Sequence, residues 1–253
     1  MTILSKKWRR ISILTLAFTF LFAVGGVYLE VSKERIEYTK EEVAYFKEIA
    51  LQVEYGSGMH QIHKWVEELK IKVIGTPTTE DLEALESTMD NLNALSENLH
   101  LRHAKKDEAA NMEIYFIPHS EFLTKGYVEE SVLKNNWGLG VIWWNSFGEI
   151  NRAIILIATD RTNSRERAHL IREEVTQSLG LLNDSWEDSE SLFYQGWGTQ
   201  NYTVRDEKVV QLLYDPRIKP NMAELDVDRA LMTKAPFSLA QWFNHQIQMW
   251  SLF

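Results

Sequence analysis

The chain of 253 residues contains no cysteine. This absence excludes a disulfide framework, a lipid-modified cysteine, a thiolate metal site and a cysteine nucleophile. Hydrophobic residues make up 45% of the chain, as in an ordinary globular protein. The folded part must therefore be held by an apolar core, or by a metal ion bound through oxygen and nitrogen atoms.

Basic residues are also in short supply, with 27 Lys and Arg against 36 Asp and Glu, a formal net charge of −9. Residues 1–31 nevertheless carry +3, from Lys6, Lys7, Arg9 and Arg10 against Glu30. The remaining residues hold 23 basic and 35 acidic side chains, a charge of −12. Residues 32–253 are therefore acidic and contain no continuous stripe of basic residues, which argues against nucleic acid as a partner.

Charge is wholly absent between Ile11 and Leu29. This run is close to the ~20 apolar residues that a helix needs to cross a membrane. The basic cluster ahead of it predicts that the N-terminus stays in the cytoplasm and that residues 32–253 lie outside it. We therefore expect residues 1–31 to be a signal anchor and single transmembrane helix. The alternative is a cleaved signal peptide with a small-x-small site at residues 23–25.

Residues 32–253 show patterns typical of strands and helices, with no linker rich in Pro, Gly or Ser between them. We therefore predict that these residues form one domain. Thr78 and Thr203 have an aspartate three residues later and are predicted helix caps. The order of elements predicts an α+β domain in which helices pack on one antiparallel sheet. The predicted elements are a helix over 33–52, strands at Leu69–Ile74 and Met112–Ile117, a helix from Thr78 to Leu95, a hairpin of Val141–Trp144 with Ala153–Ala158, a helix from Ser164, and a helix from Thr203.

The helix that starts near Ser164 carries a pattern with chemical meaning. Zincin metallopeptidases have the sequence H-E-x-x-H, in which two histidines on one helical face bind zinc and the glutamate polarises a metal-bound water. In the metzincin form, a glycine three residues later turns the chain toward a third ligand. Here the spacing is intact, with Glu174 as the general base and Gly180 at the turn. The three histidine positions hold Glu173, Gln177 and Asn183.

The same segment resembles a known family. It reads Arg167-x-His169-Leu170-Ile171-x-Glu173-Glu174-x-x-Gln177-Ser178-Leu179-Gly180-Leu181-x-Asn183-Asp184-Ser185. Together with Leu212–Pro220 it is similar to the domain of unknown function 2927 family of exported bacterial proteins, over about residues 45–231. The family's pattern usually has glycine where Asn221 stands.

The resemblance implies a fold rather than a reaction. It implies a zincin-like, metzincin-type single domain with a long helix, an active-site-type helix and a mixed sheet that has an antiparallel edge. It also places the folded part outside the cytoplasm of a bacterial cell.

A divalent metal ion is the cofactor that these residues suggest. A carboxylate and two amides suit calcium or manganese better than zinc. The candidate ligands are His169, Glu173, Gln177, Asn183 and Asp184. The favoured alternative is an ion pair or hydrogen bond between His169 and Glu173, four residues apart on one helical face.

Two functions remain open. The first is a degenerate metallopeptidase relative that binds a peptide or protein partner in the cell envelope. The second is an active metal-dependent peptide hydrolase that uses Glu174 as its base. Several aromatic residues near the motif, including Trp137 and Trp144, would line a peptide groove at the hairpin edge or fill the core. His60 and His63 are interpreted as surface or interface residues.

Overall fold

The computed structural model describes residues 37–53, 60–127, 132, 136–196 and 201–232. Residues Tyr38–Thr233 form one compact unit. The predicted membrane segment from Ile11 to Leu29 lies outside the described residues. Within the described part of the chain, no helix combines the length and the apolar character needed to span a bilayer.

The unit starts with two helices separated by two strands, continues with four strands and ends with three helices. In chain order the elements are α1 Lys40–Leu51, β1 Lys64–Trp65, β2 Leu69–Gly75, α2 Thr79–Leu95, β3 Leu101–His103, β4 Met112–Ile117, β5 Gly138–Trp144, β6 Glu149–Ala158, α3 Ser164–Gln177, α4 Val204–Leu213 and α5 Glu224–Met232. Two short 3₁₀ helices, His119–Glu121 and Leu123–Lys125, follow β4. The predicted strands, the hairpin and the helix from Ser164 are confirmed.

The strands form one sheet in the order β3-β2-β4-β6-β5, with the short β1 also paired to β6. Only β5 runs antiparallel to its neighbour; the other pairs are parallel. The antiparallel sheet expected from element order is therefore wrong, since α2 carries the chain back so that β3 runs parallel to β2. A mixed sheet with an antiparallel edge is confirmed, in a mixed α/β domain.

Capping boxes fix where the principal helices begin. Thr78 accepts a hydrogen bond from the backbone of Asp81, whose carboxylate accepts one from the backbone of Thr78. Thr203 and Asp206 do the same for α4. Both predicted caps are confirmed. They satisfy backbone N–H groups that a helix start would otherwise leave without partners.

Helix α3 is held against α2 by a buried ion pair. Arg167 Nε donates to Asp81 Oδ1 at 2.8 Å, and the two side chains are 8% and 1% exposed. Asp81 therefore caps α2 and fixes α3 at the same time. Breaking such a pair by removing one partner typically costs about 3–5 kcal/mol.

The turn after α3 packs closely on the chain ahead of β1. Gly180 has a φ of 113°, and a Cβ there would collide with the carbonyl oxygen of His63. His63 is 5% exposed and its ring stacks on Trp144 at 4.3 Å. The surface interpretation is wrong for His63, because this turn and Trp144 cover it, whereas His60 is exposed.

A Gly180→Ala substitution should destabilise the domain by on the order of 3 kcal/mol, because it adds a backbone clash to a left-handed conformation. Gly126→Ala is the matched control, since Gly126 has a φ of 69° but no atom lies within 4 Å of the position that a Cβ would take. Gly126→Ala should lower the free energy of unfolding by about 1 kcal/mol. Urea unfolding measures the free energy of unfolding of both variants. An equal decrease in the two variants would contradict a backbone clash at Gly180.

Stability should fall in acid partly because of His63. Burial lowers the pKa of His63 below its usual value, although the Gly148 carbonyl acts in the opposite direction. Protonation therefore favours the unfolded chain, so this contribution is complete above about pH 6.5 and declines as the pH falls below it.

The urea midpoint measured between pH 5 and pH 7.5 tests this. His63→Gln should show a weaker pH dependence than the unmodified protein. The exposed His60→Gln should keep the original dependence, and an unchanged slope in His63→Gln would refute the assignment.

Candidate functional site

A cleft of about 460 Å³ lies between the edge strand β5 and helix α3. The first wall is β5 from Gly138 to Ile142, with Trp144. The second wall is the face of α3 that includes Leu170 and Gln177. The lining also includes residues outside these two elements, namely Val53, Val132, Asn136, Trp137, Leu182, Asp184 and Tyr194–Gly196. The cleft therefore follows the antiparallel edge of the sheet.

The hydrogen-bond pattern of β5 shows which backbone groups face outward. Ala158 N donates to the carbonyl of Trp137 at 2.8 Å, directly ahead of the β5–β6 ladder. Antiparallel strands alternate between residues that bond the partner and residues that point away. Gly138, Gly140 and Ile142 consequently direct their N–H and C=O groups away from β6. No strand in the described part of the chain pairs with this outer edge.

Two glycines let α3 approach this strand. A Cβ at Gly138 would lie 2.8 Å from Oε1 of Glu174, and one at Gly140 would lie 3.2 Å from Oε2. Glu174 is 7% exposed and borders the cleft. Its carboxylate thus lies against the backbone of the edge strand.

His169 and Glu173 form a pair one turn apart along α3. Their Nε2 and Oε2 atoms are 3.4 Å apart, and the side chains are 3% and 14% exposed. The contact is an ion pair when the imidazole is protonated. This geometry agrees with the favoured prediction of a contact along the helix.

Gln177 and Asp184 form a second pair, between α3 and the loop after it. Gln177 Nε2 donates to Asp184 Oδ1 at 2.7 Å. Asn183 instead donates through Nδ2 to the backbone carbonyl of Asp184 at 2.8 Å and is not part of the cleft lining. The structure therefore brings His169, Glu173, Glu174, Gln177 and Asp184 to one cleft and leaves Asn183 outside it.

The three residues at the zincin histidine positions do not fit a zinc site. A structural or catalytic zinc needs at least three protein donors directed at one point. These positions hold one carboxylate and two amides, Glu173, Gln177 and Asn183, which are poor donors for zinc compared with imidazole or thiolate. The described residues contain no group of three or more His, Asp or Glu placed to hold a metal ion. A calcium or manganese ion bound through oxygen atoms stays a prediction.

Sequence reasoning missed three residues that shape the cleft: Gly138, Gly140 and Ser178. The glycines alternate along a strand, a spacing that indicates close approach of another element to one face. Ser178 is 1% exposed, and its Oγ has no hydrogen-bond partner among the described residues. It lines the cleft. No signal in the sequence marks Ser178 as different from a helix-terminal serine.

The comparison with protein families gives one match. A family described as a protein of unknown function, DUF2927, matches residues 39–233. The match includes every residue that lines the cleft. Asn221, where the family usually has glycine, has a φ of 66°, a left-handed conformation that asparagine tolerates.

No curated protein matches the sequence. The family match covers the compact unit except its first residue, Tyr38, and agrees with the resemblance carried by the α3 segment. The chain belongs to the domain of unknown function 2927 family.

Proposed function

We propose that this protein is a membrane-anchored, zincin-like protein that binds an extended peptide segment of a partner outside the bacterial cytoplasm, without zinc hydrolysis. The observation that carries the proposal is the outer edge of β5, which borders the cleft and has no strand partner in the described part of the chain.

The zincin-like assignment is supported by the placement of the elements. A helix follows the first long strand, the antiparallel strand lies at the sheet edge, and α3 follows the strand beside it. Glu174 borders the cleft, and Gly180 turns the chain directly after α3. This is the arrangement in which a zincin would hold its catalytic helix against its edge strand.

Peptide binding is supported by the backbone of β5. Gly138, Gly140 and Ile142 offer outward N–H and C=O groups to a chain that adds as a further strand. Trp144 and Tyr194, at the cleft walls, offer aromatic surface to alternate side chains. Main-chain hydrogen bonds would supply affinity, and the walls would supply selectivity.

Binding is favoured over hydrolysis because of the residue types at the zincin ligand positions. Glu174 would act as a general base on a metal-activated water, as in a zincin. Glu173, Gln177 and Asn183 supply a carboxylate and two amides in place of three histidines, and these groups are poor donors for zinc. This chemistry suits orientation of a ligand better than polarisation of water.

Location outside the cytoplasm is supported by the sequence alone. The uncharged run from Ile11 to Leu29 follows four basic residues, which favours a cytoplasmic N-terminus. A segment of this length suits an anchor better than the shorter apolar core of a signal peptide.

Peptide addition to β5 can be tested by removing one outward N–H group. Gly140→Pro eliminates this donor without a loss of β5–β6 hydrogen bonds, because the N–H of residue 140 points away from β6. Gly140→Ala is the matched control, since it adds a Cβ and keeps the N–H. Fluorescence anisotropy of the full-length protein in detergent with a pool of random heptapeptides measures binding.

Gly140→Pro should bind the pool about tenfold more weakly than Gly140→Ala, the effect of roughly one hydrogen bond. Equal affinity of the two variants would reject addition at this edge. Absence of any binding by the unmodified protein would reject the proposal as a whole. Intact recovery of the peptides, by mass spectrometry, is expected.

The topology can be tested because the chain has no native cysteine. Single Ser5→Cys and Glu190→Cys variants are treated with a membrane-impermeant maleimide on intact spheroplasts. Glu190→Cys should be labelled, and Ser5→Cys should be labelled only after lysis. Labelling of neither residue before lysis would contradict export of the domain, and loss of residue 5 from the mature protein would indicate a cleaved signal peptide.

A further inference from the structure

The turn between β5 and β6 holds an aromatic side chain out into solvent. It reads Asn145-Ser146-Phe147-Gly148, and Phe147 is 69% exposed. Asparagine, serine and glycine suit a tight turn, but turn chemistry does not call for phenylalanine. An aromatic ring gains free energy when it leaves water, so a ring held at the tip of a hairpin is suited to insertion into an apolar phase.

Hydrogen bonds fix the shape of this turn. Oδ1 of Asn145 accepts from the backbone N–H of Phe147 at 2.9 Å and from that of Glu149 at 3.1 Å. Gly148 has a φ of 76°, and a Cβ there would lie 2.6 Å from the backbone nitrogen of Asn221. The turn is thus built before any partner arrives, so Phe147 loses little backbone freedom when it inserts.

A second exposed apolar residue lies on the neighbouring segment. Asn221 N donates to the carbonyl of Ile62 at 2.7 Å, and Gln61 forms an antiparallel bridge with Ala223. This pairing joins the β5–β6 turn to the start of α5. Leu225, in the first turn of α5, is 67% exposed.

Helix α1 packs antiparallel to α4. The cations of Lys208 and Arg217 lie 6.0 and 5.6 Å from the centre of the Tyr38 ring, ahead of α1. Arg205, at the start of α4, lies 3.7 Å from the centre of the Tyr45 ring, farther along α1. The chain therefore enters the compact unit beside the C-terminal end of α4.

Lys64 joins that end of α4 to the β5–β6 turn. Its Nζ donates at 2.6 Å to the carbonyl of Leu213, the last residue of α4. Its backbone N–H donates to the carbonyl of Gly148 at 3.3 Å. The entry of the chain at Tyr38 and the tip that carries Phe147 consequently lie at the same end of the unit.

The sequence places a membrane near this end. The uncharged run proposed as the anchor ends at Leu29, and ten residues, 30–39, separate it from the start of α1. Ten residues span at most about 35 Å even when fully extended. The anchor would therefore keep the entry point at Tyr38 within this distance of the bilayer.

We infer that Phe147 inserts into the surface of the phospholipid bilayer that the anchor spans, with Leu225 beside it. The inference rests on the proposed anchor and adds a second attachment of the domain. Apolar side chains become buried about 5–10 Å into the boundary between head groups and acyl chains. Glu224 and Asp226, both exposed, flank Leu225, so apolar burial and not attraction to anionic lipid stabilises this contact.

Insertion has a consequence for the cleft. Trp144 lines the cleft and directly precedes the turn. The end of the cleft at Trp144 would then lie next to the membrane surface. A partner segment close to the bilayer would reach β5 from this end.

The absence of cysteine allows a single probe at the tip. Full-length Ser146→Cys carries a polarity-sensitive maleimide dye and is reconstituted into phosphatidylcholine liposomes that contain lipids with a nitroxide near the start of the acyl chain. Ser120→Cys is the matched control, because Ser120 is exposed and follows the C-terminal end of β4, at the opposite end of the sheet. The nitroxide should quench the dye at position 146 severalfold more than the dye at position 120.

A second substitution identifies the inserted side chain. In the labelled Ser146→Cys protein, Phe147→Ser should lower the ratio of inserted to free domains about tenfold, as expected for one buried aromatic ring. Trp186→Ser is the control, since Trp186 is also 69% exposed but lies near the start of α4, where Glu187 pairs with Arg205 at 2.6 Å. Trp186→Ser should leave the quenching unchanged. High salt should also leave it unchanged, because the contact is apolar.

Flotation of the same liposomes separates this inference from the anchor on which it rests. Protein that floats with equal quenching at positions 146 and 120 would overturn the insertion and leave the anchor intact. Protein that does not float would overturn both. A blue-shifted dye at position 146 that the nitroxide does not quench, and whose shift grows with protein density, would assign the tip to a contact between copies of the chain and overturn the inference.

Discussion

The approach of α3 to the edge strand β5 determines the rest of this site. Glycine at positions 138 and 140 lets the carboxylate of Glu174 lie directly against the strand, so close that a Cβ at either position would come within 2.8 or 3.2 Å of it. The distance between strand β5 and helix α3 therefore depends on the backbone of the strand and the carboxylate of Glu174. It does not depend on a side chain of the strand at positions 138 and 140. Leu182 and the segment Tyr194–Gly196 also line the cleft and belong to neither wall, so a change of their side chains would alter ligand contacts without changing that distance.

Much of the fold could be predicted because its signals are local. A threonine followed by aspartate three residues later identifies a helix start, and alternating apolar residues identify a half-buried strand. The direction of the strands could not be predicted in this way. Parallel and antiparallel neighbours share the same side-chain alternation, so the parallel pairing of β2 with β3 and β4 depends on contacts distant in sequence.

In the site too, a residue could be predicted only where its position depends on the sequence around it. The spacing of His169, Glu173 and Gln177 predicted one shared helix face, because positions four apart on a helix share a side, and all three line the cleft. Asn183 was expected to reach the same site through the turn at Gly180, but its side chain bonds to the backbone of Asp184 and does not line the cleft. Ser178 could not be recognised, because its burial depends on the packing of α3 against a strand that lies much earlier in the chain.

The buried pair of Arg167 and Asp81 has a mechanical consequence. Asp81 lies in the first turn of α2, which begins shortly after the end of β2, and its bond to Arg167 fastens α3 to that turn. Burial makes this bond costly to break, so it holds the start of α3 firmly against α2. Arg167 lies near the start of α3 and Glu174 near its end, so the pair that begins α2 also aligns the helix that places a carboxylate against β5.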